Sequence, residues 1–341
     1  RNELPRGRGA TAFRSAFLLP RFAFPPLSSP PMILCVGPTP TLQRTLVFDR
    51  LALDEVNRAA SCDDYASGKA VNVARVAVML GAESVVTGIA GGPRGVTLKE
   101  GVAADGVRHD FVKVDAQTRL CTTVIDNAKG TVTELVEESA AVDPGDYTDL
   151  FRVCTKWIHR KGARTVVLSG SLTPGGDLHL YPNVIDYVVG LGGRAILDAR
   201  GPALRHALRC ERFVVKLNRQ ELADTVGRRL ATEAALKKAM REVCPAGGQV
   251  IVTMGKAGAT AWDGEQFWRI PTPAVEAVNP IGSGDAFAAG LAVGLEQGLE
   301  TSKVYALASA CGAANALHPR AGHVAPGVVA RLQKGIRVTA G

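Results

Sequence analysis

One stretch of the chain, Asn279-Pro280-Ile281-Gly282-Ser283-Gly284-Asp285-Ala286-Phe287-Ala288-Ala289-Gly290, joins a glycine-rich turn to a single carboxylate. Its small residues, Gly282-Ser283-Gly284, let several backbone N–H groups converge on one oxygen-rich group. The alanine-rich run behind them predicts a helix whose positive N-terminal end faces the same point. We therefore expect a phosphate group to bind at this turn.

Asp285 adds a single carboxylate to the same turn. At the head of the helix it can accept a proton from a hydroxyl group that is aimed at the bound phosphate, which is the base role in phosphoryl transfer. The tetrapeptide alone fits equally well with a loop in which Asp285 only caps the helix. A kinase is the first hypothesis, and the other segments of the chain have to distinguish it from a simple helix cap.

Size and composition indicate a globular protein. The chain has 341 residues, of which 46% are hydrophobic, and this is enough for a substantial core. It has no uninterrupted apolar stretch of about 18 or more residues, so no membrane span is expected. The seven cysteines are scattered and never spaced as Cys-x-x-Cys, which argues against a disulfide framework or a zinc site. A reducing, cytoplasmic location fits this usage best.

The net charge of +8 depends in large part on the first 31 residues. That segment is rich in proline and holds five arginines against one acid, Glu3, whereas the rest of the chain has no basic run interleaved with aromatic residues. Nucleic-acid binding is therefore not expected. Because Met32 directly precedes the first strand, we expect residues 1–31 to be a disordered or non-native extension, with an organelle transit peptide as the alternative.

From Met32 onward, short apolar runs alternate with segments of helical periodicity. Strands are predicted at 33–36, 85–87, 165–168, 195–197, 213–215 and 250–253, and helices at 72–80 and 219–226. Continuous apolar strands separated by helices indicate a mostly parallel sheet with helices on both faces. The predicted fold class is therefore α/β, in one domain over residues 32–341.

Two segments, at about residues 42–66 and 107–137, alternate apolar and polar residues without a helix. The sequence Asn127-Ala128-Lys129-Gly130 predicts a hairpin turn within the second segment. Together the segments predict a small sheet with one solvated face, inserted into the main domain. Such a flap suits a lid, because ligands of open α/β sheets bind beyond the carboxyl ends of the strands.

Polar side chains follow two of the predicted strands. Lys216, Asn218 and Glu221 come after one of them, with Asn218 and Glu221 on one face of a helix start. They are able to hold a hydrated Mg²⁺ and phosphate oxygens, although the pair taken alone favours a capping box. Beyond Thr253, the loop at 254–258 either brings backbone close to a nucleotide or is an ordinary turn.

A second glycine turn opens the run Ser67-Gly68-Lys69-Ala70-Val71-Asn72-Val73-Ala74-Arg75. It is not a Walker A loop, because Ala70 stands where Ser or Thr is required and no glycine lies five residues before Gly68. Instead the turn starts a helix with Asn72 in its first turn, where a polar side chain can contact sugar hydroxyls.

Taken in order, these motifs resemble the PfkB-type branch of the ribokinase family over essentially all of residues 32–330. The matching segments are Gly68-Lys69-Ala70-Val71-Asn72-Val73-Ala74-Arg75, Gly91-Gly92, Thr118-Arg119, Ser169-Gly170-Ser171-Leu172-Thr173-Pro174-Gly175, Lys216-Leu217-Asn218-Arg219-Gln220-Glu221, Met254-Gly255-Lys256-Ala257-Gly258 and Gly282-Ser283-Gly284-Asp285. Each is weak alone, and the ordered set is specific. The chain is most similar to the 1-phosphofructokinase and tagatose-6-phosphate kinase group, because of Glu55-Val56-Asn57-Arg58-Ala59, Thr118-Arg119 and Thr133-Glu134-Leu135.

The resemblance implies a ribokinase-like α/β fold with a small β-sheet lid, and transfer of the γ-phosphoryl group of ATP, with Mg²⁺, to a sugar hydroxyl. By the matching positions Asp285 would be the base, and Gly282, Ser283 and Gly284 would form the anion hole. The nucleotide would be contacted by Lys216, Asn218, Glu221, Thr253, Gly255, Gly258 and Asn315, with Asn218 and Glu221 also organising the metal. The phosphosugar would be contacted by Gln43, Arg58, Gly68, Lys69, Asn72, Arg119 and Ser171.

The chain departs from the family pattern at three positions. It reads Thr39-Pro40-Thr41-Leu42-Gln43 where the group usually has Asn-Pro-Ala-x-Asp, so an amide replaces the carboxylate that accepts from two sugar hydroxyls. The resemblance therefore does not fix the identity of the sugar. Ala70 replaces the middle glycine of Gly-Lys-Gly, and Leu217 replaces the proline of Lys-Pro-Asn; neither change removes a reactive group.

The function expected from these features is that of an ATP-dependent kinase of a hexose phosphate, of the fructose 1-phosphate or tagatose/fructose 6-phosphate type. Arg58 and Arg119, one on each lid segment, favour an anionic substrate over an unphosphorylated sugar or nucleoside. A catalytically silent sugar-phosphate-binding protein is the other alternative, which Gln43 permits and an intact Asp285 site opposes. Exposed lid edges make a homodimer through the lid the expected assembly.

Overall fold

The computed structural model describes residues 32–341, and the expectation for residues 1–31 lies outside this range. Its main sheet has ten strands, which lie side by side in the order β16 (Thr339–Ala340), β15 (Phe267–Ile270), β14 (Ala259–Trp262), β13 (Gln249–Thr253), β12 (Val214–Asn218), β11 (Arg194–Asp198), β10 (Ala163–Ser169), β1 (Met32–Val36), β4 (Glu83–Thr87) and β6 (Arg108–His109). The strands from β13 to β6 are parallel. From β13 to β16 the pairing is antiparallel.

Helices cover both faces of this sheet. One face carries α3 (Pro144–Thr155), α4 (Leu180–Gly190), α5 (Gly201–Ala207), α6 (Arg219–Val226) and α7 (Glu233–Val243), and the other carries α1 (Lys69–Met79), α2 (Gly92–Ala104), α8 (Ser283–Glu296), α9 (Thr301–Ala316) and α10 (Pro326–Lys334). Successive β1 side chains point to opposite faces, so Leu34 joins the first core and Ile33 and Cys35 join the second. The α/β prediction is confirmed.

The six predicted strands all form, and each extends beyond its predicted range at one end or both. β12 continues past Val215 to Asn218, because it pairs in parallel with β13 as far as Asn218 and Thr253. Lys216 and Asn218 therefore belong to the strand, whereas the sequence had placed them after it. Within residues 32–341, no helix has the length and apolar character that crossing a membrane requires.

A separate four-stranded sheet forms the lid. Its strands lie in the order β3 (Ser61–Ser67), β2 (Thr41–Phe48), β8 (Arg119–Asp126) and β9 (Thr131–Val136), and the hairpin predicted at 127–130 joins β8 to β9. Residues 107–118, which were expected in the lid, pair elsewhere: β6 joins the main sheet, and β7 (Val112–Val114) pairs with β5 (Ile89–Gly91). Val107 and Val112 are buried, so this part of the chain is held by the main core.

Helices α8 and α9 approach each other closely at a glycine. A Cβ atom at Gly290 would lie 2.7 Å from the Cα atom of Ala308 on α9, which is closer than such atoms pack in proteins. Gly327 in α10 offers a matched comparison, because a Cβ atom there would meet no heavy atom within 4 Å.

We expect Gly290→Ala to lower the free energy of unfolding by about 1–3 kcal/mol, because the extra methyl group overpacks the contact with α9. Gly327→Ala should be neutral or stabilise the protein by up to about 1 kcal/mol, since alanine favours the helix and meets no neighbour. Urea unfolding of both variants measures the difference. Equal losses of stability in the two would contradict the close packing at Gly290.

Candidate active site

A cleft of about 500 Å³ lies between the lid and the carboxyl ends of the main-sheet strands. The strand ends contribute residues that follow β1, β10, β11 and β12, and the lid contributes β2, β8 and β9. Most of the predicted site residues line it, namely Gln43, Gly68, Lys69, Asn72, Arg119, Ser171, Lys216, Asn218, Glu221, Thr253, Gly282, Gly284 and Asp285. The parallel sheet therefore brings together segments that are far apart in the sequence.

The glycine turn before α8 has the form of an anion cradle. Gly282 adopts a left-handed conformation with φ 82°, and a Cβ atom there would lie 2.8 Å from the backbone nitrogen of Gly322. A Cβ atom at Gly284 would lie 3.2 Å from Lys216 Nζ. A side chain at 282 would collide with the loop at 321–322, and one at 284 would fill the space beside the Lys216 ammonium group. The residues present therefore fit a phosphate group held by backbone N–H groups and an ammonium group.

One predicted member of this cradle is used differently. The Ser283 N–H group donates to Pro280 O at 3.2 Å, and Ser283 does not line the cleft. The N–H groups of Gly282 and Gly284 have no protein acceptor among the described residues. The free donors of the turn are thus the two glycines, at the positive end of the 14-residue helix α8.

Asp285 lies in the first turn of α8 and is only 7% exposed. Its Oδ2 atom accepts a hydrogen bond from Asn72 Nδ2 at 2.8 Å. Burial raises the pKa of Asp285 to about 6; Lys69 and the Asn72 donor oppose this shift, and Asp198 adds to it. A carboxylate with a pKa just below neutral pH is ionised there and still basic enough to take a proton from a hydroxyl group.

Asp198, at the end of β11, binds two lysines at once. Lys69 Nζ donates to its Oδ1 atom at 2.7 Å, and Lys216 Nζ donates to its Oδ2 atom at 2.6 Å. Burial disfavours the charged form, but the two ammonium groups outweigh it and lower the pKa of Asp198 to about 2. Asp198 was not among the predicted site residues, although an acid at the end of the predicted strand 195–197 satisfies the same strand-end rule that pointed to Lys216.

Asn218 and Glu221 form the capping box that the sequence suggested. The Glu221 N–H group donates to Asn218 Oδ1 at 2.8 Å, and the Asn218 N–H group donates to Glu221 Oε2 at 2.8 Å. Both residues also line the cleft. No group of three or more His, Cys, Asp or Glu side chains arranged to hold a metal occurs in residues 32–341. The Asn218 amide and the Glu221 carboxylate therefore fit a Mg²⁺ ion that keeps several waters and also binds phosphate oxygens.

The lid presents polar side chains to the cleft. Gln43 is 3% exposed and donates from Nε2 to Thr123 Oγ1 at 2.9 Å. Arg119 donates from Nη2 to Thr39 O at 3.0 Å, and its buried Nε atom has no partner within the described part of the chain. Glu134 on β9 also lines the cleft and was not predicted as a site residue. The lid therefore offers a guanidinium, an amide and a carboxylate.

Asn315 is placed behind the glycine turn and not in the cleft, contrary to expectation. It is fully buried, donating to Ile281 O at 2.8 Å and accepting from the Gly322 N–H group at 2.7 Å. Because these contacts occupy both ends of the amide, we assign Asn315 the role of bracing the turn and not that of contacting the nucleotide.

Three further predicted residues lie outside the cleft. Gly255 begins a single 3₁₀ turn (Gly255–Ala257) and Gly258 follows it; the Met254 N–H group donates to Gly258 O across the turn at 2.8 Å. The lining of the cleft stops at Thr253, and a contact between this turn and a nucleotide stays a prediction. Arg58 is exposed on the lid loop between β2 and β3 and does not line the cleft of its own chain.

Solved structures of sugar kinases have the same fold. Phosphofructokinase-2 from Escherichia coli, in complex with fructose-6-phosphate, has a TM-score of 0.79 and 25% identity over 89% of this chain and 98% of that one. A possible 1-phosphofructokinase from Thermotoga maritima has a TM-score of 0.80 and 20% identity, covering 91% and 99%. Arabidopsis thaliana ribokinase, complexed with ribose and ATP, has a TM-score of 0.69 and 20% identity, covering 90% and 99%. The expected ribokinase-like fold is confirmed.

A family model gives the same assignment from the sequence. The model for the pfkB family carbohydrate kinases matches residues 31–326, which is most of the chain. The match covers the glycine turn before α8, the strand ends that form the cleft and the lid. This chain therefore belongs to the pfkB family of carbohydrate kinases.

Proposed function

We propose that the protein transfers the γ-phosphoryl group of ATP, with Mg²⁺, to a hydroxyl group of a hexose phosphate, of the fructose 1-phosphate or tagatose/fructose 6-phosphate type. The observation that carries the proposal is the position of Asp285, a buried carboxylate at the edge of a glycine cradle that faces two lysines. The Escherichia coli relative, solved with fructose-6-phosphate, supports a phosphosugar substrate. The Arabidopsis relative, solved with ATP, supports the nucleotide.

Asp285 acts in this scheme as the general base. Since its Oδ2 atom is engaged by Asn72, the Oδ1 atom is left to take the proton of the substrate hydroxyl. Bound ATP would supply the phosphoryl group and leave as ADP, and Mg²⁺ would offset the negative charge of its phosphates. The Gly282 and Gly284 N–H groups and Lys216 Nζ, which lies 3.2 Å from the position of a Cβ atom at Gly284, would stabilise negative charge on the phosphates.

Lys69 and Lys216 are held in the cleft by Asp198. The carboxylate fixes both ammonium groups in position, so they require little rearrangement when phosphate groups enter. Asn218 and Glu221 would hold Mg²⁺ and its waters at the end of β12, through Glu221 Oε1, which the capping box leaves free, and the second lone pair of Asn218 Oδ1.

The lid contributes the contacts that select the substrate. Arg119 places a guanidinium in the cleft wall, and its Nε atom lacks a partner within residues 32–341. A phosphate group on the sugar would satisfy this donor, which favours a phosphosugar over a plain sugar or nucleoside. Gln43 would contact sugar hydroxyls as a neutral group that can both donate and accept.

Release of ADP, measured with a panel of phosphorylated and plain hexoses, tests the assignment of a hexose-phosphate kinase. Inertness toward the whole panel despite ATP binding would favour the catalytically silent binding protein.

We also propose that two copies associate through their lids. The outer strands β3 and β9 are edges of the lid sheet, and Leu53 and Val56 on the lid loop are 83% and 84% exposed. Unpaired edges and exposed apolar side chains favour association. Arg58 lies on this same loop, so a contact between Arg58 and substrate would require the lid of a second copy. Sedimentation velocity on the whole chain is the check, and a monomer at micromolar concentration would remove this proposal.

Replacing the base tests the mechanism directly. Asp285→Asn should keep the fold and nucleotide binding but lower turnover by roughly 10²- to 10⁴-fold, the usual effect of removing a general base. In the wild type, the rate should fall as the pH decreases through about 6, because the pKa of Asp285 is raised to about 6 and only its ionised form accepts a proton. Turnover of the variant within tenfold of the wild type would mean that another group is the base.

Glu221→Gln separates the metal role from the capping role. Glutamine at this position still completes a capping box, so the unfolding free energy should change little. The loss of a carboxylate should raise the Mg²⁺ concentration needed for half-maximal rate, because a hard cation prefers charged oxygen ligands. The measurement is the rate of the variant and of the wild type across a Mg²⁺ titration. An unchanged Mg²⁺ dependence would mean that Glu221 only caps the helix.

Arg119→Ala tests the phosphosugar assignment. A charge-assisted hydrogen bond is worth about 1.5–3 kcal/mol, so kcat/KM for the phosphosugar should fall by roughly one to two orders of magnitude. A plain sugar makes no such contact and should lose much less. Arg44→Ala is a matched control, because Arg44 lies on the neighbouring lid strand, pairs with Asp64 and does not line the cleft. Equal losses on both sugar types in Arg119→Ala would count against a phosphosugar substrate.

A further inference from the structure

Arg75 is a fully buried arginine on α1, at 0% exposure, that the scheme above does not use. Its Nε atom donates to Asp105 Oδ2 at 2.7 Å, and its Nη2 atom donates to Ala66 O. Its Nη1 atom donates to Asn72 Oδ1 at 3.1 Å and to Ala321 O at 3.3 Å. One guanidinium thus joins the end of lid strand β3, the end of α2 and the loop before α10 to the side chain of Asn72.

These contacts fix which way the Asn72 amide faces. The Asn72 Oδ1 atom accepts from Arg75 and from Ser67 Oγ at 3.1 Å, while Nδ2 donates to Asp285 Oδ2 at 2.8 Å. A guanidinium can only donate, so the atom of Asn72 that faces Arg75 has to be the oxygen. The hydroxyl of Ser67 donates or accepts and imposes no orientation. The NH₂ group is thereby directed at Asp285.

We propose that Arg75 is a positioning residue, which holds the Asn72 NH₂ group against Asp285 Oδ2 and so leaves Asp285 Oδ1 free for the substrate hydroxyl. The consequence for catalysis rests on the proposed function, because it takes Asp285 as the base. The orientation itself rests on hydrogen bonds alone and can be tested without turnover.

The orientation of the amide has an electrostatic consequence. The donor from Asn72 favours the ionised form of Asp285 and lowers its pKa, which burial raises to about 6. The other charged groups that face Asp285 are Lys69 on α1, Asp198 at the end of β11 and Lys216 on β12. If the amide turned over, its carbonyl oxygen would face the carboxylate, and the pKa of Asp285 would rise.

The charged groups around Arg75 form a separate set. Asp105 pairs with its Nε atom, and Arg320 and Tyr65 also face it. These groups are not among those that face Asp285. A substitution at Arg75 therefore reaches Asp285 through Asn72 and not through a direct change of charge next to it.

The experiment compares Arg75→Met with Arg75→Gln. Both variants remove the charge and the ion pair with Asp105, and both side chains are of similar length, but only glutamine keeps an NH₂ donor for Asn72 Oδ1. The measured quantities are the pH titration of the Asp285 carboxyl carbon by ¹³C NMR in the free protein and the acid side of the pH profile of kcat. Arg75→Met should raise the midpoint of both by about one to two pH units, as expected for the loss of one hydrogen bond to a charged group. Arg75→Gln should restore most of the wild-type midpoint.

A wild-type midpoint in Arg75→Met, or the same shift in both variants, would overturn the proposal. Asp105→Asn is the control for stability: it removes the ion pair but not the donor to Asn72, so it should lower the unfolding free energy without moving the titration. If neither Arg75 variant folds, Ser67→Ala decides, because the proposal requires an unchanged Asp285 titration when Arg75 alone orients the amide. A shift of a full unit in Ser67→Ala would assign the orientation to Ser67. If the NMR titrations shift as expected but the protein phosphorylates no sugar, the positioning role of Arg75 is supported and the proposed function is contradicted.

Discussion

The cleft depends on one buried carboxylate, Asp198, which accepts from Lys69 and Lys216 at the same time. Two ammonium groups brought together below a lid would repel each other and lose their water, and a shared carboxylate offsets both effects. Asp285 is the second carboxylate of this group, so the two negative and two positive side chains balance within the site. Burial raises the pKa of Asp285 to about 6, and the two lysines, whose hydrogen bonds go to Asp198, oppose this rise.

The sheet explains why these groups meet. Parallel strands direct all their carboxyl ends to one edge, so β11, β12 and the turn after β1 deliver residues from distant parts of the chain to a single cleft. The strand pattern and the glycine turns could be predicted from local sequence, because apolar runs and small residues determine strands and turns through neighbouring residues alone. The capping box between Asn218 and Glu221 is local for the same reason, and it forms as the spacing suggested.

The rest of the site could not be predicted in this way, because it depends on contacts across the fold. Asn315 was expected at the nucleotide, yet both ends of its amide form hydrogen bonds with two loops that only the folded chain brings together. Arg58 and Arg119 look alike as lid arginines, but only Arg119 lies on a strand face that points into the cleft. The predicted start of the second lid segment, at about residue 107, was wrong. Alternation of apolar and polar residues alone does not show that Val107 and Val112 belong to the main core.

The hydrogen bond between Asn72 and Asp285 joins residues that are 213 positions apart. Contacts of such sequence separation require the closure of a very long loop, and in general they form late and slow the folding of a chain. Helices and single β-α units can appear early, but this hydrogen bond exists only after α1 and α8 have docked on the same face of a completed sheet. Recovery of activity after dilution from denaturant would therefore report the final step of folding, well after the recovery of helical circular dichroism.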